Sequence, residues 1–106
     1  MDYNYKNFTF SYNLIDDFNI EITKAKYNLK NNPSILDIPS FINGYCVQSL
    51  KCTCKFNMNS IKYIKFPDGL YNQPSSHMLL LVFCNLQIIK SSNIWLYREE
   101  ESWKIL

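Results

Sequence analysis

The chain has 106 residues, which is enough for one domain with a single core, and we expect residues 1–106 to form that domain. Hydrophobic residues make up 47% of the sequence and charged residues 19%, a balance that excludes a disordered chain. The formal net charge is only +2, and the basic residues are spread along the chain with Arg98 as the single arginine. Composition therefore gives no argument for nucleic-acid binding by this chain on its own.

The N-terminal residues lack both the basic start and the apolar segment of a signal peptide, so we expect a soluble intracellular protein without direct membrane contact. In that setting Cys46, Cys52, Cys54 and Cys84 are expected to be reduced thiols. The Cys-x-Cys spacing at 52–54 is too short for the usual zinc motif, and His77 is the only histidine. We expect no metal and no cofactor.

Three segments, 8–16, 20–29 and 44–54, place apolar or aromatic residues at helical spacing. The helical faces would be Phe8, Tyr12 and Ile15 in the first segment, Ile20, Thr23, Lys24 and Tyr27 in the second, and Cys46, Val47, Leu50 and Cys54 in the third. We predict these segments as helices. The composition of the first segment opposes this prediction, because β-branched and aromatic residues favour strands.

The rest of the chain has the pattern of strands. We predict strands at 34–38, 60–66, 78–89, 94–99 and 102–106, with a turn at 99–102. Two helices, a short strand, a third helix and an antiparallel meander make an α+β domain.

The stretch 78–89 is the longest apolar run. Its periodicity fits a buried helix or a strand, and the turn residues on both sides favour a strand. As a strand it would be apolar on both faces, and the predicted helices can cover only one. Leu80, Val82, Cys84 and Leu86 would point one way, and Leu79, Leu81 and Phe83 the other. We therefore expect an obligate-type dimer formed through the sheet.

Several fragments, in this order, resemble the nuclear transport factor 2 family across nearly the whole chain. They are Tyr12-Asn13-x-x-Asp16, Tyr27 followed by Ser34-Ile35-Leu36, Phe41-Ile42-Asn43-Gly44, Asn72-Gln73-Pro74, the stretch 77–86, and Trp103-Lys104-Ile105. The chain departs from the family at Tyr71 and Cys84, where an Asp and a Gly are usual, and it lacks the closing Asp-x-Phe-Arg motif.

The resemblance implies a cone-shaped α+β fold, in which about three helices pack on one face of a curved antiparallel sheet. It places the partner interface and the cone interior on opposite faces of that sheet. The interface residues would be Leu79, Leu81, Phe83, Trp95 and Tyr97, and the interior residues Leu80, Val82, Cys84 and Leu86.

For function, the resemblance favours a non-catalytic adaptor that acts as the small subunit of a heterodimeric nuclear mRNA export receptor. Its partners would be the large subunit of that receptor or a second copy of itself, together with FG-repeat nuclear pore proteins. It would be found in the nucleus, in the cytoplasm and at the nuclear envelope.

Three alternatives remain open. The first is a Ran-GDP import carrier, although Ile89-Lys90-Ser91-Ser92 offers no acid where that branch has them. The second is a scaffold subunit of another assembly. The third is a small-molecule enzyme, for which His77, Asp16, Asp37 and tyrosines are the available acid–base groups. These groups show no pairing in the sequence, so we assign no catalytic residue and expect no enzyme activity.

Overall fold

The computed structural model describes residues 1–70, 83–91, 94–100 and 102–105, and these residues are almost entirely β-structure. The strands are β1 (Asp2–Tyr5), β2 (Phe8–Leu14), β3 (Asn19–Tyr27), β4 (Ile35–Asp37), β5 (Phe41–Ile42), β6 (Tyr45–Lys55), β7 (Tyr63–Phe66), β8 (Ile88–Ser91), β9 (Ile94–Glu99) and β10 (Ser102–Ile105). The helical content of the described residues is a single 3-10 turn, Met58–Ser60. The α+β prediction is therefore wrong.

The strands form two five-stranded sheets that together make a nearly closed, barrel-like structure. The first sheet has the order β1-β2-β3-β6-β5, and the second has the order β10-β9-β8-β7-β4. Most neighbours are antiparallel, but β3 pairs with β6 in parallel, as do β4 with β7 and β7 with β8. Of the predicted C-terminal meander, the antiparallel pairing of β9 with β10 is confirmed, while the strand that precedes β9 is β8 rather than the predicted 78–89.

Two tight hairpins shape the first sheet. Lys6 and Asn7 connect β1 to β2 with positive φ angles of 48° and 68°. Asn43 and Gly44 connect β5 to β6 with φ angles of 51° and 85°. Positive φ at both central residues is the geometry of the type I′ turn, whose twist matches that of paired strands. The Asn43-Gly44 pair, predicted to open a helix, in fact closes a hairpin.

The three predicted helices are strands, and the third of them resembled a helix because of β-bulges. In β6 the inward-facing Val47, Leu50 and Cys54 pair with Ile20, Ile22 and Ala25 of β3. Register shifts separate these pairs, so the buried positions on β6 are three and four residues apart. That spacing is the helical one, although each step lies along an extended strand.

The strand predictions agree better with the structure. The segments 34–38, 60–66, 94–99 and 102–106 contain β4, β7, β9 and β10 respectively. Only the end of the stretch 78–89 can be compared, because residues 71–82 lie outside the described residues. There, Phe83–Asn85 form a turn-like segment and β8 begins at Ile88.

A single apolar cluster fills the space between the sheets. The first sheet contributes side chains such as Phe10, Ile20 and Val47, and the second sheet contributes Ile64 and Ile89, each no more than 1% exposed. Since both inner faces pack into one core, each sheet has its other face directed away from it. None of the helical structure in the described residues is long and apolar enough to cross a membrane.

Candidate functional site

The outer face of the second sheet differs from an ordinary solvated sheet surface. Residues paired across neighbouring strands share a face, so the register defines its composition. One row across the sheet is Ile35, Tyr63, Ile88, Tyr97 and Lys104. The neighbouring row is Asp37, Lys65, Lys90 and Trp95. We call the surface formed by these two rows the aromatic face.

Three aromatic side chains lie at its centre. The rings of Tyr63 and Trp95 are 5.9 Å apart between centroids and inclined at 44°. Trp95 is 38% exposed, while Tyr63 and Tyr97 are half-buried. Partial burial raises the pKa of the Tyr63 hydroxyl, and the nearby Asp37 carboxylate raises it further. Tyr63 therefore stays neutral at physiological pH and presents an uncharged ring.

Three lysines surround these rings. The Nζ of Lys90 lies 4.9 Å from the centre of the Trp95 ring, within cation–π distance. Lys65 lies beside Lys90 in the same row, and Lys104 lies beside Tyr97 in the other row. Arg98 is absent from this face, because it pairs with Trp103 in the inward-facing register. The cationic groups of the aromatic face are therefore all ammonium groups. Two carboxylates lie on the same face, Asp37 in the second row and Glu99, which accepts from the Tyr97 hydroxyl at 3.5 Å.

The outer face of the first sheet gives a direct comparison. Two of its rows are Asn4, Thr9, Lys26 and Lys55, and Asp2, Ser11, Lys24 and Thr53. These rows also contain lysines, but every other member is small and polar. Lysine on a strand of this protein is thus not distinctive, whereas lysine together with exposed aromatic rings is.

A cleft of about 250 Å³ lies at the β4 edge of the aromatic face. Its walls include Phe8, Tyr27 and Ile35, and its polar groups include Lys6 and Asp37. The Lys6 Nζ donates to Asp37 Oδ2 at 2.6 Å, which joins the β1–β2 turn of the first sheet to β4 of the second. The other oxygen, Asp37 Oδ1, is buried and has no hydrogen-bond partner among the described residues. The ion pair thus links the two sheets at this corner of the barrel.

Because of this ion pair, the free energy of unfolding should vary with pH in the alkaline range. Hydrogen bonding and the charge of Asp37 raise the pKa of Lys6 above its ordinary value of 10.5. A raised folded-state pKa gives stability that is complete below 10.5 and is lost as the pH rises through the folded value. We expect Lys6→Gln to be less stable than the parent at pH 7, with the difference narrowing above about pH 10.5.

Urea unfolding at a series of pH values measures this difference. Lys24→Gln is the matched control, since Lys24 is exposed on the first sheet and lies far along the chain from Asp37. The expectation is contradicted if the difference in free energy of unfolding between Lys6→Gln and the parent stays constant up to pH 12, as a packing effect would.

The residues predicted for the two faces of the long strand are only partly described. Leu79, Leu80, Leu81 and Val82 lie outside the described residues. Phe83, predicted to face a partner, is 6% exposed within the core cluster.

The other predicted positions are all described. Cys84, predicted to face the interior, is exposed and donates from its Sγ to Asn59 Oδ1. Leu86, also predicted inside, is fully buried. Trp95 and Tyr97, predicted at the interface, both lie on the aromatic face.

The two described carboxylates among the candidate acid–base groups, Asp16 and Asp37, belong to different sheets of the fold. His77 lies outside the described residues. Asp16 accepts hydrogen bonds from the Asn19 side chain and the Phe18 backbone in the β2–β3 turn, and these bonds lower its pKa. Asp37 lies in the cleft, and neither Asp16 nor another residue of that turn lines it. Among the described residues, no three His, Cys, Asp or Glu side chains come together as metal ligands would.

Sequence reasoning did not find Tyr63, Lys65, Lys90 and Lys104 as one group. These residues come from three strands, and the parallel pairing of β7 with β8 brings the first two beside the third. The available signal was the period of two that places Tyr63 with Lys65, and Trp95 with Tyr97, on one face of a strand. Comparisons with protein-family models, curated proteins and solved structures found no match to this chain.

Proposed function

We propose that the chain is a non-catalytic module that binds single-stranded nucleic acid on the aromatic face. The observation that carries the proposal is the placement of Tyr63, Trp95 and Tyr97 among three lysines on one sheet surface. Nucleobases stack on aromatic rings with about 1–3 kcal/mol per base, and lysines neutralise the phosphates between them. The rings of this face provide the first interaction and its lysines the second.

The charge pattern favours a nucleic acid over a protein partner. Protein interfaces are enriched in Tyr, Trp and Arg, but their centres are depleted of Lys. Here the only arginine of the chain faces the other way, and Lys90 lies directly against the Trp95 ring. A protein partner would have to desolvate that ammonium, whereas a phosphate group can pair with it.

The shape of the face favours a single strand over a duplex. Reading a duplex groove requires a helix or a narrow ribbon that enters it, and the described residues contain no α-helix. Trp95 and Tyr97 are two positions apart on β9, which places their side chains about 7 Å apart on one face. Bases that are splayed from their strand can use such neighbouring platforms.

No sequence pattern indicated nucleic-acid binding, because the lysines are scattered along the chain. The fold gathers three of them, Lys65, Lys90 and Lys104, around the rings, while Asp37 in the row of Lys65 and Lys90 is paired with Lys6. The export-receptor subunit stays a prediction. It depended on a resemblance that implies helices, and the described residues form strands at all three helical positions.

Titration of a labelled oligonucleotide of about ten residues, DNA or RNA, by fluorescence anisotropy tests the proposal. If three lysines contact phosphates, the logarithm of the binding constant should fall with the logarithm of salt concentration with a slope of about −2. Lys65→Gln should reduce that slope by about 0.7, and Lys24→Gln on the first sheet should leave it unchanged.

A polyglutamate peptide of equal charge serves as the second ligand in this experiment. It offers the negative charge without bases, so we expect it to bind more weakly than the oligonucleotide. The proposal fails if the oligonucleotide does not bind at about 100 µM protein, or if polyglutamate binds equally well. It fails also if Lys24→Gln and Lys65→Gln have the same effect, because binding would then not be confined to the aromatic face.

A further inference from the structure

The inner face of the second sheet continues beyond the core toward its β10 edge. One row across this face is Leu36, Ile64, Ile89, Leu96 and Ile105. The first three are no more than 3% exposed, Leu96 is half-buried, and Ile105 is 75% exposed. Ile94, on the same face of β9, is 53% exposed. The first sheet thus covers Leu36, Ile64 and Ile89, and the apolar side chains of the row continue beyond it.

The backbone edge of β10 is also available. This strand pairs with β9 on one side, and no described strand lies on its other side. An unpaired edge presents backbone donors and acceptors to any strand that can align with it. Trp103 on β10 has a buried Nε1 that lacks a hydrogen-bond acceptor among the described residues. Among the described strands, the edge therefore has no partner for its backbone groups, and it carries the exposed apolar side chain of Ile105.

Charge along β10 is arranged in a self-complementary way. The β9–β10 connection at one end of the strand carries Glu99 and Glu100, and Lys104 lies near the other end. In an antiparallel pair of identical strands, the start of each strand lies beside the end of the other. A pair centred on Trp103 would place each Lys104 close to the acidic connection of the second copy, and the two Trp103 side chains opposite each other.

We infer that β10 pairs antiparallel with β10 of a second copy of this chain, across a two-fold axis. The pairing covers Ile105 and joins the two second sheets into one continuous sheet. Because only four residues of each edge take part, the contact is smaller than a standard stable interface, and we expect dissociation in the micromolar range.

Sedimentation velocity over a series of protein concentrations tests the inference. The parent should change from monomer to dimer within about 1–100 µM, and Ile105→Asp should remain monomeric because it places a charge in the interface. Ile35→Asp is the matched control, since Ile35 is 54% exposed on β4, the opposite edge of the same sheet. It should dimerise like the parent.

A charge exchange separates this pairing from any other dimer. Lys104→Glu should weaken the dimer at least several-fold, and Lys104→Glu combined with Glu100→Lys should restore it, because the contact is reciprocal. Circular dichroism would show that each variant remains folded. A parent that is monomeric at 100 µM overturns the inference, as does a dimer that Ile105→Asp leaves intact or a double variant without recovery.

Discussion

Phe10→Ala is expected to lower the free energy of unfolding by about 3–5 kcal/mol, whereas Ile15→Ala should cost less than about 1 kcal/mol. Phe10 is 1% exposed in the strand arrangement, and Ile15 is 49% exposed after β2 has ended. In a helix at 8–16, Ile15 would belong to the buried face with Phe8 and Tyr12. Ile15→Ala would then cost more than Phe10→Ala. This pair of substitutions thus distinguishes the strand from the helix.

Urea unfolding followed by tryptophan fluorescence provides both values. For a protein of this size the whole free energy of unfolding is of the order of 5–15 kcal/mol, so Phe10→Ala should leave little stability. Phe18→Ala is a control for removal of an aromatic ring, since Phe18 is 76% exposed. A loss for Ile15→Ala as large as the loss for Phe10→Ala would show that β2 is misassigned.

Trp95→Ala should weaken oligonucleotide binding by roughly five- to 150-fold, the equivalent of 1–3 kcal/mol for one stacked base. It removes the most exposed ring of the aromatic face and also the surface against which Lys90 lies. Trp95→Phe keeps a ring in place and should recover most of the affinity. The adjacent Ile94→Ala, on the other face of β9, should bind like the parent.

Trp95 also gives a direct spectroscopic measurement. In a Trp103→Phe background it is the only tryptophan of the chain, and a stacked base should quench its fluorescence on binding. Quenching at saturation, together with the loss of affinity in Trp95→Ala, would locate the ligand on this face. Full affinity in Trp95→Ala would rule out stacking at this position.

The sequence was informative for four of the shorter strands, but not for β2, whose regular alternation was mistaken for helical spacing. The segments containing β4, β7, β9 and β10 were predicted from short alternating or aromatic runs between turn residues, because such a strand leaves a period of two. The Asn43-Gly44 pair was also a usable signal. Asn-Gly between apolar runs indicates a type I′ hairpin, and the helical spacing that follows it outweighed that signal in our prediction.

Strand β6 was not predicted because its pairing with β3 is irregular. The bulges opposite Ile20 and Ile22 shift the buried positions of β6 by one residue each time, and a one-residue shift moves a side chain to the other face. Only the partner strand shows where such a shift occurs, and no local pattern specifies a partner 20 or more residues away. The aromatic face was hidden for the same reason, because its register depends on the pairing of β7, β8 and β9.

The parallel pairings have a consequence for how the chain folds. β3 joins β6 only after the chain between them has turned back, and β7 joins β8 across a separation of more than 20 residues. The conformational entropy lost in closing such loops precedes any gain from the contacts they bring together. The β1–β2 and β5–β6 hairpins can form early and locally, whereas assembly of the second sheet waits for distant segments to meet. Folding should consequently take milliseconds to seconds, and unpaired strand edges stay exposed to neighbouring molecules during that interval.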